Sequence, residues 1–276
     1  MGRVIFVTGF KGGVGKTTVA ANVASALYAL GSRVLVIDGD FGMRCMDMVL
    51  GLESDILFDG SDVLSGRCSA GAAMAEVKGR NGFSFIPAPM NLSEDNLQKD
   101  SFSDMIDSVR ADFDFIIIDS CAEMTDYYRS FAATADEAII VTLHQSTSVR
   151  AAEKTAARLS AMGIPELSLV VNGYRDKEAS AGKLPDIASI IERSSVKLIG
   201  VVPFDGNMPA SQEASELAFT GDMRKKASGS ETAFLNIAKR LRGKRVPLYE
   251  NVEKPIRRSN YEGIICRKTN GGKSDA

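Results

Sequence analysis

Histidine is nearly missing from this chain. His144 is the only one in 276 residues, so serine–histidine triads and multi-histidine metal sites have little to build on. Cysteine is scarce as well. Cys45, Cys68, Cys121 and Cys266 are scattered, with no C-x-x-C pair and no companion histidines. That argues against a zinc pattern or a disulfide framework and fits a reducing compartment. No run approaches the roughly 20 apolar residues of a membrane span. Val4-Ile5-Phe6-Val7 is too short for the apolar part of a secretory leader. The expected location is cytoplasmic. Net charge is only −2, yet it is unevenly spread: from Ala238 to Ala276 eleven Lys/Arg face four Asp/Glu, a net of +7 against −9 for the rest. Residues 1–242 are expected to form one large α/β domain, and 243–276 a basic tail of lower order.

What the chain does hold is concentrated near its start. Gly9-Phe10-Lys11-Gly12-Gly13-Val14-Gly15-Lys16-Thr17-Thr18 reads as a phosphate loop, the pattern G-x-x-x-x-G-K-[ST] being counted from Gly9. Glycines let the backbone curl around a triphosphate so that N–H groups face its oxygens. Lys16 brings a cation to the β- and γ-phosphates, and the Thr17 hydroxyl is a candidate Mg²⁺ ligand. Val4 to Thr8 reads as a buried strand and Val19 to Leu30 as a helix whose positive end faces the same anion. Strand, loop and helix in that order predict binding of a nucleoside triphosphate with Mg²⁺.

Further apolar runs follow at Val34 to Ile37, Phe83 to Ile86, Phe113 to Ile118, Ala138 to Leu143, Leu167 to Val171 and Leu198 to Val202. They are rich in Val and Ile and apolar on both faces, as strands of a covered parallel sheet are. Helical patterns lie between them at Ser101 to Val109, Ser146 to Met162, Ile187 to Arg193 and Glu231 to Leu241. This alternation predicts an α/β fold, a doubly wound and mostly parallel sheet, with ligands outside the carboxyl ends of the strands.

Carboxylates stand where such a site needs them. Val36-Ile37-Asp38-Gly39-Asp40 closes one strand with two aspartates, and Phe115-Ile116-Ile117-Ile118-Asp119 ends another in a third. The latter has the Walker B form, in which Asp119 holds Mg²⁺ through water. Asp38 and Asp40 read on their own serve either phosphoryl transfer or plain turn and cap chemistry. No Asn-Lys-x-Asp string occurs to read guanine.

The extra lysine in the loop, Lys11, resembles the signature lysine of the MinD/ParA family of deviant Walker A ATPases. That resemblance implies an ATP-dependent homodimer in which each Lys11 reaches the partner's phosphates. Asp38, Asp40, Gly42, Arg44 and Asp47 match the first switch region of the MinD branch, D-x-D-x-G-L-R-N-x-D, with Cys45 replacing the asparagine. The match implies that Asp40 positions the hydrolytic water and that Asp38 supports the metal. Asp119-Ser120-Cys121-Ala122-Glu123 departs from the family's D-x-P-x-G. Val170 to Tyr174 resembles a segment ending N-R-Y, whose asparagine reads adenine and here is Asn172. Gly200 to Asp205 resembles G-V-I-P-E-D, a loop bordering adenine, with Pro203 and Asp205 matching and Phe204 differing. The resemblance spans about Arg3 to Leu241. It implies slow, partner-stimulated hydrolysis of ATP in division-site placement, with a division inhibitor or activator as protein partner. The end of the chain lacks the family's amphipathic membrane helix. Its nearest substitute, Tyr261 to Cys266 between basic pairs, supports at most a weak contact with the inner face of an anionic membrane. DNA is not an expected ligand. A ParA-type partition ATPase, or a weakened nucleotide-gated scaffold for secretion or pilus machinery, remain the alternatives.

Overall fold

The computed structural model describes residues 1–41, 43–89, 100–217 and 228–248. Gly42 of the switch match, Tyr261 to Cys266 and the tail beyond Leu248 lie outside the described residues. Eight strands form one sheet: β1 (Arg3–Thr8), β2 (Val34–Gly39), β3 (Ala75–Glu76), β4 (Phe83–Ile86), β5 (Phe115–Ser120), β6 (Glu137–Leu143), β7 (Glu166–Tyr174) and β8 (Lys197–Pro203). Their order is β3-β4-β2-β5-β1-β6-β7-β8, and only β3 runs antiparallel to its neighbour.

The apolar-on-both-faces pattern has a direct structural meaning. Along β1, Val4 and Phe6 point into one layer while Ile5 and Val7 point into the other, and all four are fully buried. One layer packs the helices Asp100–Val109, Asp126–Ala133 and Ser146–Ala161 through Ile106, Phe131, Val149 and Leu159. The other packs Lys16–Ala29 and Gly229–Leu241 through Val23, Leu27, Phe234 and Ile237. Each fully buried Leu, Ile or Phe contributes about 1.5–3 kcal/mol, so two such layers dominate the folded state.

Register brings the chemistry to one edge. Asp38 on β2 lies opposite Asp119 on β5, Val7 on β1 is opposite Asp119, Leu143 on β6 faces Asn172 on β7, and Tyr174 faces Pro203 on β8. The opposite edge is structural. There Arg3 pairs with buried Glu137 and with Glu166 at 3.2 Å, and Ser168 donates to Glu137 at 2.6 Å. The helix Asp126–Ala133 has no counterpart in the sequence reading. Its Thr125 cap, accepting from the Tyr128 amide at 3.1 Å, and its buried Tyr128 and Phe131 are the signals that would have found it. Past the last helix, Asn236 donates to the Pro247 carbonyl at 3.3 Å and Leu248 packs on the core, so the chain stays docked beyond residue 242.

Among the described residues no helix is long and apolar enough to cross a membrane.

Candidate functional site

The phosphate loop lies between β1 and the helix Lys16–Ala29, at the centre of the strand carboxyl ends. Its curl is set by left-handed residues, Gly13 at φ 74° and Gly15 at φ 87°. Gly15 has a second reason to lack a side chain: a Cβ there would come within 2.3 Å of the Asn172 amide nitrogen. Asn172 donates from that nitrogen to the Val14 carbonyl at 2.9 Å, so the residue expected to read adenine braces the loop in the free chain. Asp205 likewise spends both oxygens locally, accepting from the Asn207 amide at 3.0 Å and the Ser230 hydroxyl at 2.7 Å. Pro203 ends β8 next to exposed Phe204, over which the Arg175 guanidinium stacks at 3.6 Å.

Counted back from Lys16, the first glycine of the phosphate-loop pattern falls on Phe10 and not on Gly9. The phenylalanine is accommodated because its ring packs on neighbouring side chains. It lies 5.4 Å from the Tyr128 ring and 5.0 Å below the Arg158 guanidinium. Only the Phe10 backbone is left to meet a nucleotide. Tyr128 in turn hydrogen-bonds the Thr8 hydroxyl at 2.8 Å, so the entry to the loop is fixed from one side.

Beneath the loop two carboxylates are buried together. Asp38 and Asp119 are each 1% exposed and side by side on adjacent strands. Asp119 sits against the Thr17 hydroxyl and near buried Lys16, while its Oδ1 has no partner among the described residues. Burial, and then the charge of Asp38, hold the Asp119 carboxyl well above the ordinary carboxylate range, against the pull of Thr17 and Lys16. Burial also pushes Asp38 up to about 7, even though its oxygens accept the Asp40 amide at 2.9 Å and the Met46 amide at 3.2 Å. A buried orphan carboxylate oxygen, a threonine hydroxyl and a second carboxylate suit a hard, oxygen-seeking cation such as Mg²⁺. Thr17 and Asp119 would hold it. Asp38, with both oxygens on the switch backbone, would act from behind them. Asp40 is half-exposed at the rim and accepts the Met43 amide at 3.3 Å. Glu123, which replaces a switch glycine, is exposed, and its carbonyl accepts from the Cys121 thiol at 3.0 Å.

The raised pKa has a measurable sign. With the folded value near 7 above the unfolded one, Asp38 favours folding below about pH 4, and that contribution is lost as pH rises through about 7. Urea unfolding of the free chain should therefore lose about 2 to 4 kcal/mol through this group between pH 4 and pH 8. Asp38→Asn should flatten the slope by at least that amount, since it also removes the charge that raises Asp119. An unchanged slope in the variant contradicts the assignment.

Sequence reasoning missed two contacts of the loop. Gln212 donates to the Thr18 hydroxyl at 2.8 Å from the helix Met208–Glu213. Lys11 reaches Gln145 Oε1 at 3.3 Å, Thr147 Oγ1 at 3.1 Å and Ser148 Oγ at 3.1 Å. Neither is legible locally, since both span more than a hundred positions.

A family model described as an AAA domain matches residues 2–162. The septum site-determining protein MinD of Synechocystis sp. is 36% identical over 250 residues, covering 91% of this chain and 93% of that protein. The solved MinC:MinD cell division protein complex of Aquifex aeolicus matches with a TM-score of 0.82 at 28% identity, over 90% of this chain and 99% of that one. The septum site-determining protein MinD of Pyrococcus horikoshii OT3, complexed with Mg-ADP, matches at 0.76 and 26%, over 87% and 96%.

Proposed function

This chain belongs to the MinD family of P-loop ATPases, and from that premise we propose a working cycle in which ATP joins two copies and hydrolysis parts them. It is an ATPase using ATP and Mg²⁺, and it acts in placement of the division site. A protein partner is part of that role, as the likeness to a MinC:MinD complex supports. The finer reading is that the partner is a division inhibitor or an activator of hydrolysis.

Within the cycle, loop amides and Lys16 bind the triphosphate, and Asp40 at the rim orients the attacking water. When bound, Mg²⁺ neutralises phosphate charge and relieves the buried Asp38 and Asp119 pair. One observation carries the two-subunit reading. Lys11 lies in a phosphate loop already served by Lys16, yet it makes no ion pair among the described residues and rests on three neutral oxygens. A partner's triphosphate is the counter-charge it lacks. The basic excess of the tail supplies weak attraction to anionic lipid, doubled when two tails act together.

Sedimentation with Mg²⁺ and a non-hydrolysable ATP analogue should give a dimer for the parent chain and a monomer with ADP. Lys11→Ala should remain monomeric with either nucleotide while still binding it. A dimer of undiminished affinity in that variant contradicts the cross-subunit role.

A further inference from the structure

The carboxyl ends of β7 and β8 carry an aromatic ring for which the phosphate chemistry has no use. Among the described residues Phe204 is the one exposed aromatic side chain, with 53% of its surface open. Its backbone is fixed, since its amide donates to the Tyr174 carbonyl of β7 at 2.8 Å. The Arg175 guanidinium lies 3.6 Å from the ring centre and is itself paired with Glu178 at 3.7 Å. With a cation over one face, the exposure of the ring belongs to the other. That open face stands beside the phosphate loop. Just before Tyr174, Asn172 is tied to Val14 at 2.9 Å, and beyond Phe204, Gln212 is tied to Thr18 at 2.8 Å. The segment bearing Phe204 is therefore anchored to both ends of the loop, in the crevice outside the strand ends where such sheets place ligands.

The polar side chains of this corner are already engaged. Asn172 gives its amide nitrogen to Val14, and Asp205 gives its two oxygens to Asn207 and Ser230. Gly173 brings no side chain, and its φ of 62° would strain one. Discrimination between ligands by large factors comes from buried polar groups that pair with one and are left unpaired by another. Stacking on a ring works differently. Every base has a π-face, so an aromatic platform tolerates all of them.

We propose that the open face of Phe204 is the stacking platform for the nucleobase, and that the site accepts purine nucleoside triphosphates with little preference between adenine and guanine. This rests on the ATPase reading above and not on the pairing of two chains. GTP is then a second substrate beside ATP. Its hydrolysis follows the same course, because the reacting phosphates lie away from the base. Water adds to the γ-phosphorus and the bond to the oxygen bridging the β-phosphate breaks. GDP and inorganic phosphate leave, and one water proton passes to solvent.

The test uses the full chain with Mg²⁺. Competition against a fluorescent ATP analogue gives affinities for ATP, GTP and inorganic tripolyphosphate, which has phosphates but no base. In the parent, ATP and GTP should bind within about tenfold of each other and be hydrolysed at rates within about tenfold. Phe204→Ala should weaken both by about five- to 150-fold, leaving their ratio and the tripolyphosphate affinity unchanged. Phe204→Tyr, which keeps the ring, should match the parent for all three. A parent that binds or hydrolyses GTP more than about tenfold less well than ATP overturns the proposal. So does parent-like nucleotide affinity in Phe204→Ala, or a loss of tripolyphosphate affinity equal to that of the nucleotides, which marks a general defect of the site. Hydrolysis of neither nucleotide by the parent would instead contradict the ATPase reading, because the platform is read from binding.

Discussion

Lys16→Ala is expected to abolish measurable Mg·ATP binding. Lys16 is buried under the loop, 8% exposed, at the head of the helix whose amides face the phosphates. Among the described residues its ammonium is the side-chain cation that the loop itself places there, since Lys11 rests on the neighbouring helix. Truncating a buried, charge-assisted partner costs about 2–5 kcal/mol, roughly 30- to several-thousand-fold in affinity. A second effect adds to this one. Lys16 lowers the cost of ionising Asp119, so its loss leaves two buried carboxylates with less compensation. Titration with a fluorescent ATP analogue measures the outcome, with thermal unfolding alongside to confirm that the variant is folded. Parent-like ATP affinity in a folded Lys16→Ala chain contradicts the assignment of the loop.

Asp40→Ala should separate binding from turnover. Asp40 lies at the open rim beyond β2, while the buried positions are filled by Asp38 and Asp119. In the proposed cycle its carboxylate orients water and does not hold phosphate. Losing a positioned proton acceptor costs about a hundredfold to ten-thousandfold in rate. ATP affinity should change little or even rise, because a negative charge near the γ-phosphate is removed. Single-turnover hydrolysis read by phosphate release, against equilibrium ATP binding, distinguishes the two. A variant that hydrolyses at the parent rate takes Asp40 out of the reaction.

The sheet was legible because its strands are buried on both faces and therefore read as unbroken Val and Ile runs. The loop and Asp119 were legible for a related reason: phosphate and metal chemistry leaves few residue types at fixed places along a strand and its turn. What escaped is what depends on the third dimension. The amide of Asn172 could be matched to a family's base reader, but its bond to Val14 spans 158 positions. Asp38 was read as metal support, and the engagement of both its oxygens by backbone amides was not legible. Phe10 looked like a loop residue facing nucleotide. The helix that receives its ring, Asp126–Ala133, had no counterpart in the sequence reading. Lys11 shows both sides of this limit. Its presence was legible, and its resting place was not, because three neutral oxygens at a helix start carry no sequence signature for a cation.

The most direct test of the two-subunit ATPase is the specific rate of ATP hydrolysis measured across a thousandfold range of protein concentration at saturating Mg·ATP. If each active site is completed by the other subunit's Lys11, turnover per chain should rise steeply with concentration and level off where pairing is complete. Lys11→Ala should lie flat and low throughout. Turnover per chain that is constant from the most dilute sample upward would contradict the account.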